Sequence, residues 1–249
     1  MSPKSFAASA AITTLLLTLL LAAACETTSS TGGLGSVLKG KSAKANAWEA
    51  KLGPVPNSPT SAKKLYSDIN LKRSFIPKGR YSRRRAKSMK PTHITIHSTQ
   101  NYSGDAWDHA KALNRGALRG GLVGYLGWHF TVQEDVAIQH TPTNEQGHHA
   151  DIGGPGNKSS IGIEMCEHRG NDLARTLDRT AKLTAHLMHT HDIPLSRVVP
   201  HYHWPRKGYK PPNKNCPHFL LENGKPGATW AWFISRVGRH HDRLNLQSS

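Results

Sequence analysis

Runs of two different apolar periods alternate along this chain, and that alternation restricts the fold more than any other feature. Period-two spacing marks strands at His93-Ile94-Thr95-Ile96-His97-Ser98, Trp128-His129-Phe130-Thr131-Val132, Val136-Ala137-Ile138-Gln139-His140 and residues 160–166. The turn Gln133-Glu134-Asp135 joins the second run to the third. Helical spacing marks residues 105–118, with Ala106, His109, Ala110 and Leu113 on one face and Ser103 or Asp105 as the cap. It recurs over residues 171–189 in Leu173, Leu177, Ala181, Thr184, Leu187 and Met188, and a last helix is expected over about 229–244. Strands interleaved with helices predict an α/β domain, a central mixed sheet covered by helices.

The first 24 residues read as an export signal. Lys4 is the only charge before Glu26, and Leu15-Leu16-Leu17-Thr18-Leu19-Leu20-Leu21 is its apolar heart. That run is short of the about 20 apolar residues a membrane span needs. Ala22-Ala23-Ala24 then precede Cys25, the order of a lipoprotein signal whose cysteine becomes the lipidated first residue. Leu21 stands one place further from the cysteine than usual, and cleavage near Ala24 with Cys25 unmodified is the alternative. Export predicts a cell-envelope protein, in the periplasm or at the cell surface, lipid-anchored to a membrane. Residues 25–71 follow as a tether and N-terminal extension, Ser/Thr/Gly-rich at first and weakly patterned from about 36 to 70, where the chain is expected to stay partly extended. Residues 72–249 remain for one catalytic domain, roughly 180 residues and a usual domain size.

The formal charge is +17, with basic residues crowded at Lys72-Arg73 and Lys78-Gly79-Arg80-Tyr81-Ser82-Arg83-Arg84-Arg85-Ala86-Lys87. A basic run with an interleaved tyrosine suits nucleic acid. An exported protein meets anionic wall polymers and lipid head groups instead, so a solvated basic face adhering to an acidic matrix is expected, with no nucleic-acid partner. A monomer is expected.

His97, His201 and Cys216 carry the chemistry of zinc ligands. Two imidazoles and one thiolate leave a fourth tetrahedral position for water, the arrangement of a catalytic site. Two alternatives stay open. His203 is a rival ligand, and Cys216 could pair with Cys166 in an oxidising compartment, although Cys166 in its strand-like run also fits a small buried residue. His186, His189, His191, His240 and His241 read as exposed histidines on helices.

Five motifs then stand in one order: Thr95-Ile96-His97-Ser98-Thr99, Gly127-Trp128-His129-Phe130-Thr131-Val132, Gly147-His148-His149-Ala150-Asp151, residues 156–166 and Lys214-Asn215-Cys216-Pro217. Together, over about residues 72–222, they resemble the zinc-dependent N-acetylmuramoyl-L-alanine amidases of the second amidase family, relatives of phage-lysozyme-type amidases and animal peptidoglycan-recognition proteins. The resemblance implies a central mixed sheet flanked by helices, a zinc cofactor, and a groove for the peptide stem of peptidoglycan or a muropeptide. It implies cleavage between N-acetylmuramic acid and L-alanine, for wall remodelling, recycling or lysis. Alternation sets Glu164 opposite Ile163 and Met165, and the resemblance makes it the catalytic acid/base. Lys214 matches an oxyanion-stabilising position, with a solvated loop lysine as the equal alternative. Trp128 stands where the phage-lysozyme branch has a catalytic tyrosine, and its N–H cannot act as acid or base. Trp128, His129, His149 and Asn157 are expected to bind substrate, with His148 able to replace His149. The form His201-x-x-Trp204 favours His201 over His203, and the fifteen-residue interval to Cys216 requires residues 205–212 to bulge. Two other readings remain: a non-catalytic peptidoglycan-binding protein, against which Cys216 argues, and an amidase specific for anhydro-muropeptides.

Overall fold

The period-two runs pair into a sheet, and its register decides what meets at the site. The structure, a computed structural model, describes residues 42–121 and 124–246. It begins with α1 (Ala43–Leu52), α2 (Ala62–Ile69), β1 (Leu71–Arg73), β2 (His93–Ser98) and α3 (Ala106–Asn114). A small antiparallel pair, β3 (Arg119–Gly120) and β4 (Gly124–Tyr125), precedes β5 (Phe130–Val132) and β6 (Ala137–Gln139). Then come α4 (Pro155–Lys158), β7 (Ser160–Met165), α5 (Leu173–His191) and β8 (Val198–Pro200). A second small pair, β9 (Leu221–Glu222) and β10 (Lys225–Pro226), leads into α6 (Ala228–Asn245). Six strands form the main sheet in the order β1-β6-β5-β7-β2-β8. Only β5 and β6 run antiparallel within it, so the sheet is mixed, as expected.

The two faces of β2 and β7 have different fates. Ile94 and Ile96 pair with Ile161 and Ile163, and all four are fully buried with Met165, Leu177, Trp232 and Phe233 in the main core. Burying one such side chain contributes about 1.5–3 kcal/mol, so this face anchors the sheet to α5 and α6. On the opposite face His97 lies directly across from Glu164. The helices end where the sequence provides caps. Asp105, rather than Ser103, closes a capping box with Asp108 on α3, and Asp172 caps α5.

The expectation of an extended stretch over 36–70 is corrected where the chain is described. Residues 43–52 and 62–69 are helical, capped by Ser42 and Ser61. Ala45, Leu65 and Ile69 supply too few apolar residues to show a period, yet each is buried against the helical layer. Residues 1–41, including the export signal, Cys25 and most of the tether, lie outside the described residues. No helix among the described residues is long and apolar enough to cross a membrane.

One buried polar network ties α1, α5 and α6 together. Arg236 is 3% exposed; its guanidinium donates to Asp178 Oδ1 at 2.8 Å and to Gly53 O at 3.0 Å, and lies 3.4 Å from Glu49 Oε2. His240 is corrected from an exposed to a buried histidine, with Nε2 3.0 Å from the same Asp178 oxygen. Burial alone would raise Asp178, but the His240 hydrogen bond and the Lys182 and Arg236 cations hold its carboxyl well below the usual carboxylate range. Arg236→Ala leaves two carboxylates short of their partner and should cost about 3–5 kcal/mol. For a chain this size that is a fall of roughly 10 °C in Tm by calorimetry. A depressed carboxylate stabilises the fold above its unfolded pKa, near 3.9. Wild type should therefore lose stability as the pH falls below about 4, and Arg236→Ala should show a shallower acid loss.

Candidate metal centre

Each residue of the centre is delivered by a different part of the sheet. His97 is the penultimate residue of β2, and Glu164 is its register partner on β7. Pro200 at the end of β8 pairs with Ile96, so the next residue, His201, comes level with His97, and their rings stand 4.6 Å apart. Cys216 arrives by the long loop, which closes on itself: Arg206 N donates to Pro212 O at 2.9 Å and Tyr202 N to Cys216 O at 3.1 Å. The bulge required over 205–212 is thus a closed loop, with the Arg206 cation 4.4 Å over the Tyr209 ring. His97, His201 and Cys216 are all buried, and one ligand atom from each lies within 4.8 Å of the others.

The hydrogen bonds fix which nitrogen of each imidazole is free. His97 Nε2 donates to His149 Nδ1 at 3.0 Å, and His149 Nε2 donates onward to Ser160 O at 3.2 Å. That chain leaves His97 Nδ1 as a lone pair, 4.0 Å from Cys216 Sγ and 3.7 Å from Glu164 Oε1. His201 Nε2 donates to Ala150 O at 3.0 Å, leaving Nδ1 buried without a partner among the described residues. Both imidazoles therefore offer Nδ1 to the same point, with the other nitrogen held from behind as metal-bound histidines usually are.

Charge says the same. Burial, with nearby His201, holds His97 well below an ordinary imidazole, and burial aided by the Lys214 cation brings His201 down to about 3. Burial and the neighbouring Glu164 push the Cys216 thiol up to about 12. Burial lifts Glu164 to about 7 against the pull of Lys214, and Glu164 Oε2 is buried with no partner among the described residues. Two neutral imidazoles, a thiol that ionises only with a cation beside it and an unpartnered carboxyl oxygen make a donor set fitted to a thiophilic divalent ion.

The open alternatives resolve here. His203 is exposed and stacks on His93 at 6.3 Å, outside the centre, so His201 is the ligand candidate. Cys166 and Cys216 are unpaired among the described residues, with Cys166 in an apolar cluster of Ala106, Ala110, Val136 and Ile138. Lys214 is half-buried, and its charge bears on His97, Glu164, His201 and Cys216.

Trp128, His129, His149 and Asn157, the residues expected to bind substrate, each make polar contacts inside the protein. Trp128 Nε1 donates to Thr131 Oγ1 at 2.7 Å, and His129, fully buried, accepts from Gly162 N at 2.9 Å. Asn157 Oδ1 accepts from the backbone N–H groups of His149 and Ala150, at 2.8 and 2.9 Å, and so shapes the loop whose Ala150 carbonyl holds His201. Gly162 has no side chain to occupy this face; a Cβ there would come within 2.7 Å of the His149 ring. Sequence reading missed one further group. Ser98 N donates to Cys216 Sγ at 3.4 Å, while Ser98 Oγ meets His218 Nδ1 at 3.3 Å and His218 Nε2 meets Glu167 Oε2 at 3.3 Å. The signal for it was the adjacency of Ser98 and His218 to two ligands.

A sequence profile of the family described as N-acetylmuramoyl-L-alanine amidase matches residues 87–219. The chain is 37% identical over 173 residues to the N-acetylmuramoyl-L-alanine amidase XlyA of Bacillus subtilis, covering 68% of this chain and 52% of the relative. It is equally identical to the amidase CwlH of the same organism, covering 61% of that protein. The chain thus spans about half to three-fifths of these relatives' length. Among solved structures, the catalytic domain of XlyA superposes with a TM-score of 0.56 at 36% identity, over 68% of this chain and 99% of that one. PlyL gives 0.52 at 27%, over 68% and 96%.

Proposed function

The chain belongs to the N-acetylmuramoyl-L-alanine amidase family, and we propose that it hydrolyses the amide between the lactyl group of N-acetylmuramic acid and L-alanine in peptidoglycan. The observation that carries this is the convergence of two free Nδ1 atoms and one Sγ beside an unpartnered carboxyl oxygen. His97, His201 and Cys216 would hold zinc. A bound zinc supplies Lewis acidity toward the amide carbonyl and makes water available as a nucleophile near neutral pH.

The remaining work belongs to the chain. Glu164 takes a proton from the attacking water as its oxygen bonds to the carbonyl carbon, then returns that proton to the nitrogen as the C–N bond breaks. The products are a muramic acid carboxylate and a stem peptide with a free amine on L-alanine. A carboxyl poised at about 7 can both accept and donate that proton. Lys214 offers positive charge to the developing oxyanion. His149 and the Ala150 carbonyl hold the two imidazoles in their tautomers. We propose in addition, from Leu15–Leu21 and Ala22-Ala23-Ala24-Cys25, that the protein is exported, lipidated at Cys25 and held at a membrane of the cell envelope.

The test is product identity. The full-length chain incubated with zinc and purified peptidoglycan should release stem peptides that mass spectrometry finds beginning at L-alanine. Wall binding without such peptides would instead establish a recognition protein.

A further inference from the structure

The loop that buttresses the candidate metal centre through His149 and Ala150 also borders a cavity, about 430 Å³ in volume, with His148, Ile152 and Gly153. Its rim carries Arg84, Arg85, Lys87 and Lys158, with the rings of Tyr81 and Tyr125 beside them. None of these four cations makes an ion pair or donates a side-chain hydrogen bond among the described residues, and no Asp or Glu lines the cavity there. Arg83 behaves differently: it is buried and grips Glu145 with two contacts of 2.8 Å.

That grip makes the rim a fixed strap. Gln146 N donates to Lys87 O at 2.8 Å and Met89 N to Asn144 O at 2.7 Å, pinning the segment along residues 144–146. Tyr81 and Ala86, on either side of Arg84 and Arg85, sit at φ 48° and 40°, the left-handed region that non-glycine residues avoid. Backbone strain held in place on a cavity wall, with the cations between the strained residues left unpaired, is the pattern of a binding surface shaped for a ligand.

We propose that this cavity binds phosphodiester groups of an anionic polymer. Arginine forks match the oxygens of a phosphate, and several cations together raise its local concentration. A peptide with a free amine would need an acidic partner, which the described lining does not offer. A flat lipid surface would not enter a concavity. The inference is independent of which bond the metal centre cuts.

The experiment is calorimetric titration of the full-length chain with synthetic poly(glycerol phosphate), with inorganic phosphate as competitor. The triple variant Arg84→Ala/Arg85→Ala/Lys158→Ala is compared with Lys63→Ala/Arg73→Ala/Lys225→Ala, which removes the same charge from exposed positions outside the cavity. The cavity triple should bind about tenfold or more weakly, since each lost phosphate contact acts locally. The control should stay within about twofold. If the cavity triple does not fold, Arg85→Gln and Lys158→Gln singly carry the same comparison. Equal losses in the two triples would reduce the effect to net charge and overturn the proposal. So would polyglutamate binding as tightly as the phosphate polymer, or cavity-dependent binding to phosphatidylglycerol vesicles without binding to the polymer.

Discussion

Cys216→Ser is expected to lower peptidoglycan hydrolysis by at least about a thousandfold, given several kcal/mol of Lewis-acid stabilisation and 1.36 kcal/mol per decade of rate. The serine hydroxyl is close in shape to the thiol, and Cys216 is 1% exposed, so the substitution perturbs packing little. What it removes is the soft donor that favours zinc among divalent ions. Zinc content after dialysis should fall with activity, while circular dichroism and Tm stay near wild type. Retained hydrolysis with retained zinc would show that Cys216 is not a ligand.

Glu164→Gln is expected to cost about 10²–10⁴ in kcat, the contribution of a positioned general acid/base. The amide keeps the shape of the side chain but neither takes a proton from water nor delivers one to the leaving amine. Because Glu164 approaches His97 Nδ1 only to 3.7 Å and is not among the three ligand candidates, zinc content and wall binding should be unchanged. This separates it from Cys216→Ser, where metal and activity go together. A Glu164→Gln protein with wild-type kcat would remove the proton shuttle and leave the metal centre standing.

How much of this was legible in sequence depends on how local the signal is. The strand His93–Ser98 and the strand Ser160–Met165 announce themselves by alternation, and that same alternation put Glu164 on the face opposite the core. The long helix Leu173–His191 shows its apolar stripe in full. By contrast, β1 and β8 are three residues each, too short for a period, yet β8 is what brings His201 level with His97. The helices over 43–52 and 62–69 were hidden because their stability comes from docking on other helices rather than from their own composition. The candidate metal ligands were readable as residue types. Their supports were not, because Ala150 acts through a backbone carbonyl and His149 through a ring that fits only over a glycine. Trp128 and His129 were legible as motif residues, but their internal partners were not. A polar residue in a conspicuous motif looks exposed until its partner, Thr131 or the backbone N–H of Gly162, is known.

The central claim is that His97, His201 and Cys216 hold the metal on which hydrolysis depends, and one titration tests it most directly. The full-length chain is stripped with a chelator, zinc is returned in graded amounts, and release of peptides beginning at L-alanine is followed. The structure predicts no release from stripped protein and recovery that saturates once the single site is filled, with no recovery in His201→Ala. Hydrolysis that persists after complete removal of zinc, or that returns equally in His201→Ala, would contradict it.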